Sequence, residues 1–221
     1  MFNHFHPYEP FLYKECETLI VGTLPPPRFC TKILKKDDVD FCYGSKDNLL
    51  WPILENIFHQ NFTYDNSNIA IKQRINFLKE NKIGICDIVD SCKRDKIDAS
   101  DLGMKDIKLR DIISVLKSFT KIKKIIFTGK SSKNSPEFFF NKIIKKQNLQ
   151  LNFIKNKKIR EHSLILNNRF IKIYSLTSPS NAANRSIGAN KIYKEKKLIN
   201  PNYSTLDFRI DEYKLAFLSH I

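Results

Sequence analysis

Four short apolar runs, each closing on turn residues, restrict this chain more than any other feature. They are "ETLIVGTL" (residues 17–24), "KIGICDIV" (82–89), "IKKIIFTG" (122–129) and "RFIKIYSLTSPS" (169–180). Each carries β-branched residues and is too short to fill a helix, so each reads as a buried strand. Between and after them the apolar spacing turns helical. It does so in "DNLLWPILENIF" (47–58), "NSNIAIKQRINFLKEN" (66–81), "LRDIISVLKSF" (109–119), "SPEFFFNKIIKKQ" (135–147) and "DFRIDEYKLAFL" (207–218). In the second of these the stripe is formed by Ile69, Ile71, Ile75 and Leu78. Strand and helix alternate along the chain, which points to an α/β layered fold on a mainly parallel sheet. The Lys/Asn-rich stretch 151–169 reads as one or two further strands joined by solvated turns.

Local signals refine the boundaries. The three prolines of "PPPRF" fix φ and bar a helix at each preceding residue, so an extended turn is expected there. Ser45 or Asp47 is placed to cap the helix that follows, and Pro52 falls in its first turn, where a missing N–H is tolerated. In open parallel sheets ligands bind beyond the carboxyl ends of the strands. Those ends are "GTLPPPRF", "DIVDSC", "TGKSSKN" and "LTSPSNAANRS", all polar or turn-rich, and they are expected on one shared edge.

Bulk properties bound the function. A length of 221 residues suits one domain, or at most two small ones, and 42% apolar residues with 17 Phe supply a core. No run of roughly 18 apolar residues is present, so no membrane span is expected. The start "MFNHFHPYEPFLY" has no charged segment leading into an apolar one and does not read as a signal peptide; the expectation is a cytoplasmic protein. The 38 Lys and Arg against 23 Asp and Glu give a net charge of +15. Such an excess favours a polyanionic partner, although an AT-rich coding bias writes the same lysines. Five cysteines without a CxxC pair read as buried free thiols. His4 and His6, two apart, read as part of a tethered N-terminal arm before a metal pair.

Two common motifs are excluded. "FTGKSS" lacks the first glycine of a phosphate-binding loop, since Lys124 stands there. Lys130 and Ser131 are read instead as a helix start within reach of a polymer phosphate. No GxSxG elbow is present.

With the strand ends laid out, the chain resembles the uracil-DNA glycosylase superfamily, and most closely its hypoxanthine-DNA glycosylase-like branch and related bacterial proteins. Four ordered segments carry the likeness: "LIVGTLPPP", "YGSKDNLLWPIL", "GICDIVDSCKRDKIDASDL" and "LTSPSNAANR". They span residues 17–185, with an arm at 1–16 and a closing helix at about 207–219. The resemblance implies a three-layer sandwich whose central, mainly parallel sheet has four strands. It implies a monomer without metal or cofactor that flips a deaminated base, uracil or hypoxanthine, out of DNA and hydrolyses its N-glycosidic bond in base excision repair.

The resemblance also nominates residues. Tyr43 stands where a stacking aromatic is expected; it also fits as an ordinary half-buried Tyr. Asn48 stands at the catalytic Asn of the hypoxanthine branch, where an amide orients water and faces developing positive charge; it also fits as a helix-start residue. Asp87 stands at a base-reading position, as base reader, water activator or structural acceptor, with Asp90 and Ser91 close by and Thr23 as a further base contact. Cys92, Lys93 and Arg94 read as a strand-end turn near a phosphate. Ser178, Pro179, Ser180, Asn181 and Arg185 match a second loop that holds the DNA backbone, opposite Pro26, Pro27 and Arg28. Two family features are absent: no Asp or Asn follows Gly22, and no His opens the second loop, where Thr177 and Ser178 stand. These gaps support one rival, a non-catalytic binder of damaged or single-stranded DNA; a second rival is an unrelated α/β enzyme acting on small nucleotides or other phosphates.

Overall fold

The computed structural model describes residues 1–130 and 132–219; Ser131, considered above for a helix start, lies outside them. Its centre is a sheet built from β2 (Thr18–Val21), β3 (Ile83–Ile85), β6 (Lys124–Phe127), β7 (Asn152–Ile154), β8 (Arg160–Leu166) and β9 (Arg169–Ser175), in the order β3-β2-β6-β9-β8-β7. The first four are parallel, as expected, and β8 and β7 extend them antiparallel. The sheet therefore has six strands, because the 151–169 segment returns as a hairpin and covers the edge of β9.

The period-2 alternation of the strands separates two cores. Ile85, Ile20, Ile126 and Tyr174 stand side by side in register and face one layer. That layer comprises α2 (Leu50–Phe58), α3 (Asn68–Glu80) and α8 (Thr205–Phe217). Leu19, Ile125 and Ile173 face the other layer, formed by α4 (Ile112–Ser118) and α5 (Pro136–Lys145). The result is the three-layer α/β/α arrangement. Tight packing of both faces leaves the strand ends as the place where polar chemistry can gather.

Several boundaries differ from the sequence reading. The run 82–89 is two elements: β3 stops at Ile85, the chain turns through Cys86-Asp87-Ile88, and β4 (Val89–Arg94) enters a second sheet. That sheet has the order β1-β4-β5, all antiparallel, with β1 (Phe2–Phe5) and β5 (Lys105–Leu109). The N-terminal arm is thus tethered as a strand, and the expected turn at 92–94 is strand. The helix expected from 109 starts at Ile112, capped by the Asp111 side chain. In α3 the buried residues are Ala70, Arg74, Phe77 and Leu78, while Ile69 is exposed. The prolines do not only extend the chain: Pro27 opens the one-turn helix α1 (Pro27–Cys30), where its fixed φ suits the first position. The polar stretch after the second loop forms α6 (Asn184–Ala189) and α7 (Lys191–Ile199), joined to α8 by a small cluster of Ile187, Tyr193, Tyr203 and Phe208. The five cysteines are free, and all but Cys30 are buried.

Candidate active site

The four parallel strands deliver their carboxyl ends to one edge. Gly22-Thr23 follows β2, Cys86-Asp87 follows β3, Thr128-Gly129 follows β6, and Leu176-Thr177-Ser178 follows β9. Gly22 is the floor of a tight cluster there. A Cβ on it would lie 2.1 Å from Tyr43 Oη and 2.5 Å from Asp87 Oδ1, so no larger residue fits without displacing both. The Gly22 N–H donates to Asp87 Oδ1 at 3.1 Å, and Asp87 Oδ2 lies 3.0 Å from His6 Nε2. Both oxygens of Asp87 are therefore engaged, and the residue is buried. His6 comes from the arm, 81 residues away in sequence; nothing in its local sequence signalled this partnership.

Tyr43 reaches the cluster from a loop built for it. Its φ of 56° places a bulky residue in the left-handed region, an outlier that the surroundings must enforce. They do so through Asp38, which is fully buried and binds Arg28 Nε and Nη2 at 2.7 and 2.8 Å. Asp38 also accepts from the N–H groups of Lys35 and Lys46. Trp51 donates from Nε1 to Cys42 O, locking the other side. The Tyr43 hydroxyl meets Thr128 Oγ1 at 3.0 Å. Burial, and then the charge of Asp87, push its phenol well above the ordinary value, so it stays neutral.

The second loop is clamped from both sides. Arg209 of α8, with no exposed surface, donates to Ser178 O, Ser180 O, Thr205 O and Asn184 Oδ1 at 2.8 to 3.0 Å. On the other side Asn48 pairs with Ser180 as an isolated bridge, and Leu49 N–H donates to Pro179 O at 2.9 Å. The expected cap at Ser45 or Asp47 is not formed. Ser45 Oγ accepts from Arg28 and Asp47 N–H, Asp47 pairs with Lys35, and Asn48 Oδ1 accepts from Leu50 N–H at 2.9 Å.

Beside this cluster lies a cavity of about 470 Å³. Thr23, Thr128, Lys130, Thr177 and Ser178 line it from the strand ends, and Ser186, Ile187 and Phe208 close it from α6 and α8. Thr128 belongs to both the cavity wall and the Tyr43 contact. Lys130 is neutralised by Glu212 Oε1 at 2.7 Å, and Glu212 Oε2 accepts from Thr177 N–H. Asp101 completes the lining. Its Oδ2 accepts from the Thr23 hydroxyl at 3.3 Å, and burial raises its carboxyl to about 6. Nothing in the local sequence around Asp101 marks it for this place.

No family model matches the chain. It is 30% identical over 130 residues to the hypoxanthine DNA glycosylase of Methanosarcina barkeri strain Fusaro, a span of 57% of this chain and 71% of the relative. The chain belongs to the uracil-DNA glycosylase superfamily. Its fold is shared with the solution NMR structure of a candidate uracil DNA glycosylase from Methanosarcina acetivorans. The two superpose with a TM-score of 0.53 over 92% of this chain and 96% of that one, at 17% identity.

Within this superfamily member the residues nominated from sequence fall into groups. Thr23 and Ser178 line the cavity. Tyr43 and Asp87 are outside the cavity lining: both meet at Gly22, and Tyr43 reaches the lining through Thr128. Asn48, Pro179 and Ser180 form the seam between the second loop and the start of α2. Asn181 and Arg185 are exposed beyond that seam. Pro26 is half-buried, Pro27 is buried, and Arg28 is held by Asp38. Ser91 and the exposed Asp90 sit in β4, where Ser91 is paired with Phe5 and Lys108. Arg94 points inward: it is 1% exposed and donates to His4 Nδ1 at 2.8 Å. Burial, then Arg94, lowers the His4 imidazole to about 4, so it accepts as a neutral ring. Among the described residues no group of three or more His, Cys, Asp or Glu is arranged to hold a metal ion.

Proposed function

We propose that the chain is a monofunctional DNA N-glycosylase. It flips uracil or hypoxanthine from DNA and hydrolyses the bond between base and sugar, leaving an abasic site. It works as a monomer without a cofactor. The observation that carries this reading is the polar cavity at the carboxyl ends of the parallel strands, large enough for a base with its sugar and backed by Tyr43 and Asp87. The named activity of the M. barkeri relative supports the same chemistry.

In this reading Tyr43 is the platform and its left-handed backbone sets the ring before DNA arrives, so no ordering is needed on binding. Asp87, held by Gly22 and His6, presents a fixed negative charge near the developing oxocarbenium ion. Asn48 Nδ2 has no hydrogen-bond partner among the described residues and is free to hold water or a phosphate oxygen. The clamped second loop, with Ser178, Ser180, Asn181 and the exposed Arg185, receives the backbone.

One observation favours a second reading, a binder without turnover. The Asn48 carbonyl and both Asp87 oxygens are committed to internal hydrogen bonds. The test is incubation with labelled oligonucleotides carrying uracil, hypoxanthine or xanthine, single-stranded and paired, followed by alkali. Base-specific scission establishes the glycosylase. Salt-sensitive binding without scission establishes the binder, and absence of both overturns the two readings together.

A further inference from the structure

We propose that the Asp101 carboxylate activates the attacking water. This rests on the glycosylase reading and assigns the step for which the sequence offered no acid after Gly22. Hydrolysis needs an acceptor for the proton of water, placed within the cavity and free to take it. Three carboxylates stand near the strand ends. Asp87 is held on both oxygens, by the Gly22 N–H and by His6. Glu212 is held on both, by Lys130 and by the Thr177 N–H. Asp101 lines the cavity and uses one oxygen only, Oδ2, on the Thr23 hydroxyl; Oδ1 accepts no hydrogen bond among the described residues.

The placement is built rather than incidental. Asp101 reaches Thr23 across 78 residues of sequence, from a 3-10 turn (Asp101–Gly103) that follows β4. Its backbone is fixed: Asn134 Nδ2 donates to Asp101 O at 2.8 Å, Met104 N–H donates to the same oxygen, and the buried Arg94 donates to Ser100 O. None of these bonds uses the carboxylate. The turn is therefore rigid while the acid stays open to the cavity, the arrangement a general base requires. Thr23 directly follows Gly22, so the carboxylate arrives beside the residue where the family pattern would have placed one.

The charges acting on Asp101 are Arg94 from the small sheet and Asp87 after β3; Lys130, which Glu212 neutralises, lines the same cavity. With its carboxyl raised to about 6 by burial, Asp101 is ionised at neutral pH and basic enough to accept a proton. In the step, the water oxygen bonds to the anomeric carbon and its proton passes to Asp101. The C–N bond breaks and its electron pair leaves with the base nitrogen. The proton on Asp101 then returns to solvent or to the departing base, restoring the carboxylate.

The experiment is single-turnover excision by the whole chain on the oligonucleotide that wild type cleaves, from pH 5 to 9, with DNA affinity and melting curves alongside. Asp101→Asn is expected to lower the rate by about 100-fold or more, to remove the acid limb of the profile near pH 6, and to leave DNA affinity unchanged. Asp101→Glu should keep part of the rate. Thr23→Val should move the limb to higher pH, because the Thr23 hydrogen bond favours the ionised acid; this shift decides the matter if Asp101→Asn does not fold. A folded Asp101→Asn that cleaves at the wild-type rate with the same limb overturns the proposal while the glycosylase stands. A wild type that cleaves none of the three bases overturns both.

Discussion

Two walls of the cavity, the second loop and the turn carrying Asp101, use one device on different foundations. Each is braced by a buried arginine that donates to backbone carbonyls. Arg209 serves the second loop from α8, which packs against the central sheet, and it has four acceptors on four residues. Arg94 serves the Asp101 turn from the small antiparallel sheet, and its acceptors are Ser100 O and the neutral ring of His4, with Asp98 Oδ1 at 3.5 Å. One wall is fixed to the main core. The other is mounted on a sheet that the N-terminal arm completes. In the proposed reading this difference gives the walls separate tasks: a rigid loop to hold DNA, and a turn that presents an acid.

The strongest way to break the comparison is Arg209→Met. It strands several carbonyls in a dry interior, and is expected to lower stability by about 3 kcal/mol or more, read by urea denaturation. Arg94→Met should cost less globally, and its damage should show first as protease cleavage within 95–101. Equal global losses would mean that the two walls share one foundation.

Gly22→Ala comes next. The added methyl collides with Tyr43 Oη and Asp87 Oδ1. Overpacking of this kind costs about 1–3 kcal/mol, and the displaced Tyr43 should weaken DNA binding more than stability. A variant with wild-type melting and wild-type DNA affinity would show that the cluster over Gly22 is not part of the site.

Acid and base titration sharpen the contrast further. His4 is lowered to about 4 in the fold, so its contribution is complete above its ordinary value of 6.5 and is lost as pH falls through 4. Asp101 behaves oppositely. Its folded value of about 6 lies above the ordinary 3.8, so ionising it opposes folding once pH rises through that window. Asp101→Asn is therefore expected to raise stability above pH 6 by about 1–2 kcal/mol, a partial share of the shift for a group not wholly shielded from water. Melting measured at pH 3.5, 5 and 8 should show almost no gain at pH 3.5, a partial gain at pH 5 and the full gain at pH 8. A loss at pH 8 would mean that Asp101 is structural.

How much of this was legible in the sequence follows from how local each signal is. The four parallel strands and the long helices were readable because period 2 and period 3.6 are written within each segment. The resemblance nominated Tyr43 and Thr23; in the fold Thr23 lines the cavity and Tyr43 stands against Gly22. The small sheet was hidden, because its central strand continues an apolar run begun by β3 and its outer strands carry little apolar signal: in "FNHF" and "KDIKL" only His4 is buried. The helix cap was misread because Ser45 and Asp47 are drawn into the Arg28 network, leaving Asn48 to hold Leu50. His6 and Asp101 reach their partners across 81 and 78 residues. Such meetings are set by topology, which no local pattern records.

The smallest expected effect on stability is the most informative about the Asp101 wall. Asn134 donates to Asp101 O at 2.8 Å and has φ of 62°, so replacing it with most residues would add backbone strain to the loss of the bond. Asn134→Gly keeps the left-handed conformation and removes only the donor. One hydrogen bond is worth about 1 kcal/mol, so melting should fall slightly. If the turn positions a general base, excision should fall by more than that bond alone accounts for, since small misplacements of a catalytic group are amplified in rate. DNA affinity should hold, because the second loop keeps its own clamp. A variant that loses stability and excision in equal measure would mean that the bond supports the fold, and that Asp101 is not held for catalysis from this side.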